Sequence, residues 1–201
     1  MQAAVEARYG LGEIGGCICV DIGAGTTDVA RIYGTFPNEG DEDTLTEAGD
    51  WIDDVLKDLI EKKYTGAQLT KDMVRQWKEA GSYIGDDREM MVELSVDGKK
   101  QVVDIGDLVG IACTGVVTPV VNAIKGIVAG ADPEYQQMMR NNIILAGGGS
   151  LIDGLSEAVA EGLADIGDVS VWCAEDPVTK VAAGALTLAG DMPDEQFTSI
   201  N

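Results

Sequence analysis

The feature that most constrains the fold of this chain is the run Val20-Asp21-Ile22-Gly23-Ala24-Gly25-Thr26-Thr27-Asp28-Val29-Ala30. An apolar stretch beginning at Cys17 leads into an aspartate, two glycines one residue apart, two hydroxyls and a second acid. The chain must reverse here between two strands. Glycines let the backbone approach an anion closely and turn its N–H groups toward it. The threonine hydroxyls add donors, and Asp21, at a strand end, is placed to hold the waters of a metal ion beside phosphates. The spacing is neither the helix-opening G-x-x-x-x-G-K-[ST] nor the dinucleotide G-x-G-x-x-G. It reads as a phosphate loop inside a β-hairpin, with Gly23, Ala24, Gly25, Thr26 and Thr27 as candidate binding residues and Asp21 as the candidate metal and catalytic residue.

A second glycine turn, Gly147-Gly148-Gly149-Ser150, follows the apolar strand 142–146 and precedes a helix bearing Leu151, Leu155, Val159 and Leu163. Small residues there let a flat base or ribose lie on the backbone, and a helix N-terminus can face an anion. The same residues also suit a plain strand-to-helix turn. A third candidate is Arg75 with Lys78 and Glu79, on a helix expected over 70–80. It reads either as a clamp for a ribose or base edge or as a solvated helix face.

Charge narrows the ligand classes. The chain carries a net charge of −21 with only 14 Lys and Arg, so it repels nucleic-acid backbones. A nucleotide binder of this kind must rely on Mg2+ and backbone donors. The absence of histidine removes Ser-His-Asp and Cys-His catalysis and histidine metal sites. None of the four cysteines forms C-x-x-C, and Cys17 and Cys19, two apart in a strand, share a face that reads as core. The chain has no apolar run of 18 residues and nothing resembling a signal peptide, which points to a soluble cytoplasmic chain without a direct membrane span.

Strand and helix signals alternate, giving an α/β class. Strands are expected over 17–33 and 44–46. A helix follows, with Asp50 as N-cap, Trp51, Ile52, Val55, Leu56, Leu59 and Ile60 packed on a sheet, and Asp53, Asp54, Lys57, Asp58 and Lys62 on the solvent face. Asp97-Gly98, between apolar alternations, marks a hairpin. The apolar segment 105–128 should break near Thr118, because Pro119 removes an N–H. Asp132-Pro133 starts a short helix, 169–173 forms a strand, and Asp176-Pro177 opens a last helix to about residue 189. A polar turn is expected over 37–43 and a loosely held tail from residue 191. The expected organisation is a core of residues 1–65 and 104–201 with a small α+β, lid-like insertion over 66–103.

The order of these parts resembles the second half of the ribonuclease H-like fold of the actin-like ATPases, shared by actin, the sugar kinases and the nucleotide domain of Hsp70 chaperones. Residues 21–28 look like the second phosphate loop of that fold, and Gly147 to Ser150 look like its adenosine motif. The finer resemblance is to the bacterial filament branch, MreB and especially the magnetosome actin MamK. It rests on 21–28, Gly34-Thr35 with Pro37, Thr44-Leu45-Thr46 with Ala48-Gly49, Pro133-Glu134-Tyr135-Gln136, Asn142-Ile143, 146–150, Ile152, Gly154 and Leu155. Ala24 stands where an MreB-like chain more usually has a third glycine.

The resemblance implies ATP and Mg2+ as cofactors. Asp21 would coordinate Mg2+-bound water near the γ-phosphate. Gly23, Gly25, Thr26 and Thr27 would hold the β- and γ-phosphates, with Ala24 beside them. Lys78 would sit over the nucleoside, and Gly147, Gly148 and Gly149, with Ser150, would back the adenosine. Arg75 occupies a position where MreB-like chains carry glutamate. The family's first phosphate loop and its Glu-Pro segment would fall before Met1, which implies weak ATP binding and little ATPase activity from this chain alone. The implied partners are copies of itself in a homopolymeric cytoskeletal filament in the cytoplasm, with magnetosome or membrane adaptor proteins, and the implied role is to organise magnetosomes. The alternatives are an MreB-like cell-shape filament protein and a truncated, non-catalytic regulator of a full-length filament paralogue. A sugar-kinase half lacks a sugar-binding constellation.

Overall fold

The hairpin around the first glycine loop is the centre of a five-stranded mixed sheet. In the computed structural model, residues 16–32 and 40–191 are described. Gly34, Thr35, residues 37–39 of the expected turn and the tail beyond residue 191 lie outside them. Strands β1 (Cys17–Ile22) and β2 (Thr27–Ile32) pair antiparallel, and β3 (Glu42–Leu45) continues the sheet beyond β2. On the other side β7 (Ile143–Ala146) runs parallel to β1, and β8 (Val171–Cys173) runs parallel to β7. The order is β3-β2-β1-β7-β8.

Alternation along the strands fills two layers, as expected of strands buried on both faces. Ile18, Val20, Ile22, Val29, Ile143 and Leu145 join the main core, while Cys17, Cys19, Ile32, Ile144 and Ala146 form a smaller cluster behind the sheet. Burial pushes the Cys17 and Cys19 thiols up to about 12.

Helix α1 (Gly49–Lys63) buries Ile52, Leu56 and Ile60 as its spacing predicts. It departs from expectation in two respects. Its N-cap is Ala48, with Asp50 inside the first turn, and its main packing is on helices α2 (Lys71–Gly81) and α3 (Gly106–Thr114), not on the sheet. Among the helices that do pack on the sheet is α4 (Val117–Ala129), which covers β2 and β3. The break between α3 and α4 falls at Gly115 and Val116, earlier than Thr118. There, a β-carbon on Gly115 would meet the Trp51 ring at 2.7 Å. Pro119 is the third residue of α4, where its missing N–H costs no helical bond. The stretch Gly106–Ala129 has the length and apolarity of a membrane span, yet half of it is buried inside the fold.

A second sheet, β4-β5-β6, is built from β4 (Ala67–Gln68), β5 (Met91–Val96) and β6 (Lys99–Asp104). Asp97 (φ 50°) and Gly98 (φ 76°) turn the β5–β6 hairpin in the left-handed region. Thr70 caps α2 by accepting from Met73 N–H at 3.2 Å. Val74, Val92, Leu94 and Val103 from this part join the core under the larger sheet. Helix α5 (Pro133–Arg140) starts at its proline. After β7 the chain makes a 3-10 turn (Gly148–Leu151) before α6 (Leu155–Gly162), so the helix expected directly after Ser150 begins four residues later, and Leu151 is 59% exposed. Helix α7 (Pro177–Asp191) closes the described fold.

Candidate functional site

Strands β1 and β7 are parallel neighbours whose connections leave in opposite directions, β1 toward β2 and β7 toward β8. In open α/β sheets a crevice forms at such a switch point, outside the carboxyl ends of the strands. Both glycine turns begin there. Asp21 is in register with Ala146, the residue before Gly147, so one loop leaves each strand at the same level.

The loops meet in a groove of about 390 Å³ lined by Gly23, Ala24, Gly148 and Gly149, by Gly49 and Asp50 of α1, and by Arg75, Lys78 and Glu79 of α2. Ile152, Leu151 and Val178 add an apolar edge, the last two 59% and 65% exposed. The volume lies in the range of small-molecule sites.

The first loop is held from within and from α1. Gly23 N–H donates to Thr26 O at 2.9 Å and closes the turn. Gly49 N–H donates to Gly23 O at 3.1 Å, and Asp50 N–H donates to Ala24 O at 2.7 Å. Ala24, Gly25 and Thr26 remain exposed at the tip. Thr26 Oγ1 and Thr44 Oγ1 donate to the two oxygens of Asp28, at 3.1 and 2.7 Å.

The glycines of the second loop divide by role. At Gly147 (φ 77°) a β-carbon would lie 2.4 Å from Asp21 Oδ1 and from Ile22 O, and at Gly149 it would lie 2.2 Å from Ile22 Cγ2. Close packing on β1 therefore requires both. A β-carbon at Gly148 or Gly25 would meet nothing within 4 Å, and neither residue has a positive φ. The fold itself does not demand glycine at these two positions; Gly148 lines the groove, whereas Gly25, like Asp21 and Thr26, is not among its lining residues.

Besides the Thr26 hydroxyl, which is spent on Asp28, three expected donors turn elsewhere. Thr27 is buried and its hydroxyl donates to Glu47 O at 2.8 Å, so it is not among the groups facing the groove. Ser150 is buried, its hydroxyl donating to Gly147 O at 2.7 Å and accepting from Cys173 Sγ at 3.2 Å, which braces the loop from beneath. Lys78 lines the groove, but its ammonium donates to Gly49 O at 2.8 Å and lies 2.7 Å from Asp53 Oδ1, at ion-pair distance without hydrogen-bond geometry. Arg75 is engaged too, with Asp50 at 2.9 Å and Asp53 at 3.3 Å.

Asp53 corrects the expected solvent face of α1, because its side chain has no exposed surface. The signal lay in the spacing. Asp53 stands three and seven residues before Leu56 and Ile60, on the buried stripe, and Lys78 stands four after the buried Val74.

Asp21 is half-buried. Desolvation first, then the nearby Asp28 charge, raises its pKa above the ordinary carboxylate value. Among the described residues no group of three or more His, Cys, Asp or Glu could hold a metal. A lone carboxylate beside an anion site suits Mg2+, which keeps several waters and takes one or two carboxylates plus phosphate oxygens.

A profile of the MreB/Mbl protein family matches residues 1–196. The actin-like protein MamK of Paramagnetospirillum magneticum is 36% identical over 193 residues, 96% of this chain and 56% of that protein. A solved MamK double helical filament matches with a TM-score of 0.84 at 36% identity, over 88% of this chain and 55% of that one. A non-polymerising MamK mutant bound to AMPPNP matches with a TM-score of 0.83 at 36% identity, over 94% of this chain and 58% of that one. The chain thus spans about half the length of the relatives it matches. The mixed sheet, its flanking helices and the paired glycine turns are those of half an actin-like fold, and the chain belongs to the MreB/Mbl family of actin-like proteins.

Proposed function

We propose that this chain forms one wall of the ATP site of a MamK-like filament protein that polymerises to organise magnetosomes in the cytoplasm. The observation that carries the reading is the convergence of two glycine turns, more than a hundred residues apart, on one groove, where Gly23 and Ala24 meet Gly148 and Gly149 and Gly148 is left bare by the fold. The AMPPNP bound to a MamK mutant supports the nucleotide class, and the MamK double helical filament supports self-assembly. Adaptor proteins on a magnetosome or membrane would be its further partners. Residues 66–103 would act as the lid-like unit, on a core of 1–65 and 104–201.

In this reading the backbone N–H groups of Ala24, Gly25 and Thr26 face the β- and γ-phosphates, with Gly23 beneath them. Asp21 holds Mg2+ through water, and the ion would neutralise phosphate charge there. Ionised Asp21 is disfavoured by its surroundings, so a cation beside it relieves an existing cost. Gly148 and Gly149 back the adenosine, and Leu151 and Val178 offer apolar surface to the base. Thr27, Gly147 and Ser150 contribute by shaping the two loops. With Lys78 and Arg75 engaged, Glu79 is the charged side chain of α2 left to accept from ribose hydroxyls.

ATP binding would favour head-to-tail assembly, a heterologous contact that does not close and so builds filaments. Hydrolysis would weaken the contact. The test is a titration of the chain with Mg-ATP, followed by pelleting of the family-length protein that carries these residues. Absence of saturable binding overturns the nucleotide reading, and absence of sedimentable polymer at micromolar protein overturns the filament reading.

A further inference from the structure

The buried charge pair between α1 and α2 lies just behind the groove and touches both of its ends. On the α2 side, Lys78 belongs to the wall that faces the adenosine end. Its ammonium reaches back to Asp53 Oδ1 at 2.7 Å and to Gly49 O at 2.8 Å. Gly49 uses its own N–H on Gly23 O at 3.1 Å, and the next residue, Asp50, donates to Ala24 O at 2.7 Å. A continuous polar path therefore runs from α2 through Lys78 and Gly49 to the first glycine loop. Asp53 anchors it from a fully buried position, and its second oxygen accepts from Arg75 Nε at 3.3 Å.

Stability does not account for this arrangement. Replacing a buried ion pair by well-packed apolar residues is often neutral or stabilising. The first turn of α1 and the buried stripe of α2 already supply Ile52 and Val74 for such packing. What the pair adds is a fixed separation between two parts of the groove that are remote in sequence.

We propose that Asp53 is a positioning residue, which through Lys78 sets the distance between the α2 wall and the glycine loop of residues 23–26. The proposal rests on the nucleotide reading above. A ligand that touches only one end does not sense this distance. A ligand that spans both ends does, because two linked contacts strengthen each other only when their sites stand at the separation the linker imposes.

The experiment compares three ligands on the 201-residue chain: Mg-ATP, Mg-tripolyphosphate and adenosine. Dissociation constants come from ligand-observed NMR at a temperature where circular dichroism shows every variant folded. Asp53→Asn and Lys78→Met should both weaken Mg-ATP by about tenfold or more, and Asp53→Asn, at a fully buried side chain outside the groove lining, should leave the two partial ligands within about twofold, since only the linked ligand loses its effective concentration. Lys78→Arg keeps a cation for both partners and should restore Mg-ATP to within about threefold of wild type. Equal weakening of all three ligands would mean general loosening of the fold and would overturn the proposal. So would unchanged Mg-ATP affinity in Asp53→Asn. If Lys78→Met fails to fold, the contrast between Asp53→Asn and Lys78→Arg decides. Failure of the unsubstituted chain to bind Mg-ATP would sink the nucleotide reading itself, and the brace with it, before any variant is made.

Discussion

Replacing each glycine of the second turn by alanine separates the demands of the fold from those of the ligand. At Gly147 the new methyl would sit 2.4 Å from both Asp21 Oδ1 and Ile22 O, on a backbone with φ of 77°. With ψ of 169° this lies in a backbone region essentially restricted to glycine, and holding an L-residue there costs about 1–3 kcal/mol. The overlap with strand backbone adds a further ~1–3 kcal/mol of overpacking. Gly147→Ala should therefore lose about 2–6 kcal/mol, and in a chain of this size each kcal/mol lowers Tm by about 2–4 °C. Gly149→Ala meets Ile22 Cγ2 at 2.2 Å but with ordinary φ, so only the overpacking of ~1–3 kcal/mol applies. Gly148→Ala meets nothing within 4 Å and should leave stability unchanged or raise it by up to about 1 kcal/mol, through the unfolded chain. Its methyl instead stands at the groove, and Mg-ATP affinity should fall at least about tenfold, or ~1.4 kcal/mol. Urea unfolding and nucleotide titration of the three variants give both axes. A Gly148→Ala chain that binds Mg-ATP like wild type would refute the assignment of the groove, and a Gly147→Ala chain of undiminished stability would refute the packing argument.

Other outcomes follow from the charges and thiols. Asp21→Asn should stabilise the fold near neutral pH and abolish Mg2+-dependent ATP binding. The raised pKa means the folded state holds the Asp21 proton more tightly than the unfolded state, so stability falls as pH rises between the two values. The stabilisation by Asn should therefore vanish below the unfolded pKa, which urea titrations at neutral pH and near pH 3 would check. Lys78→Ala leaves the buried Asp53 with Arg75 as its remaining cation and should cost about 3 kcal/mol, near the lower end for a broken buried pair, measured by denaturant unfolding. Alkylation of the native chain at pH 8 followed by mass spectrometry should mark Cys173, which is partly exposed, well before Cys17 and Cys19, pushed up to about 12, and Cys113, pushed up to about 11.

What the sequence made legible was local. The Asp97-Gly98 turn, the Asp132-Pro133 helix start and the hairpin around Gly23 and Gly25 are each decided within a few residues, and each stands where the pattern puts it. The residues that went elsewhere are decided at long range. Thr27 loses its hydroxyl to Glu47, twenty residues on, and Lys78 loses its ammonium to Asp53, on another helix. An amphipathic pattern shows that α1 has an apolar stripe, but not that a neighbouring helix brings a cation able to let an aspartate join it. The same limit applies to the α1 packing surface, since spacing gives the face and only topology gives the partner. The two glycine turns, by contrast, were each legible from their strand contexts, and only the resemblance to the actin-like fold joined them into one site. Their meeting required only that β1 and β7 be parallel neighbours.

The charge of the chain adds a test that sets local recognition against the long-range field. At −21 the protein repels Mg-ATP, itself anionic, at distances where no hydrogen bond acts. On the proposed nucleotide reading the balance reverses close to the groove, because the contacts assigned to residues 24–26 are fixed backbone dipoles, with Arg75 and Lys78 neutralised by Asp50 and Asp53. The binding contacts are thus short-ranged and the repulsion long-ranged. Salt separates the two, since the screening length falls from ~30 Å at 0.01 M to ~10 Å at 0.1 M. The association rate of Mg-ATP should therefore rise with ionic strength over that range while the dissociation rate stays nearly constant, the reverse of a site that captures phosphate with free lysines and arginines. Stopped-flow binding at fixed free Mg2+ reads both rates. An association rate that falls with added salt would mean that uncompensated cations guide the nucleotide, and the pairing of Lys78 and Arg75 with buried and surface carboxylates would not describe the groove that ATP meets.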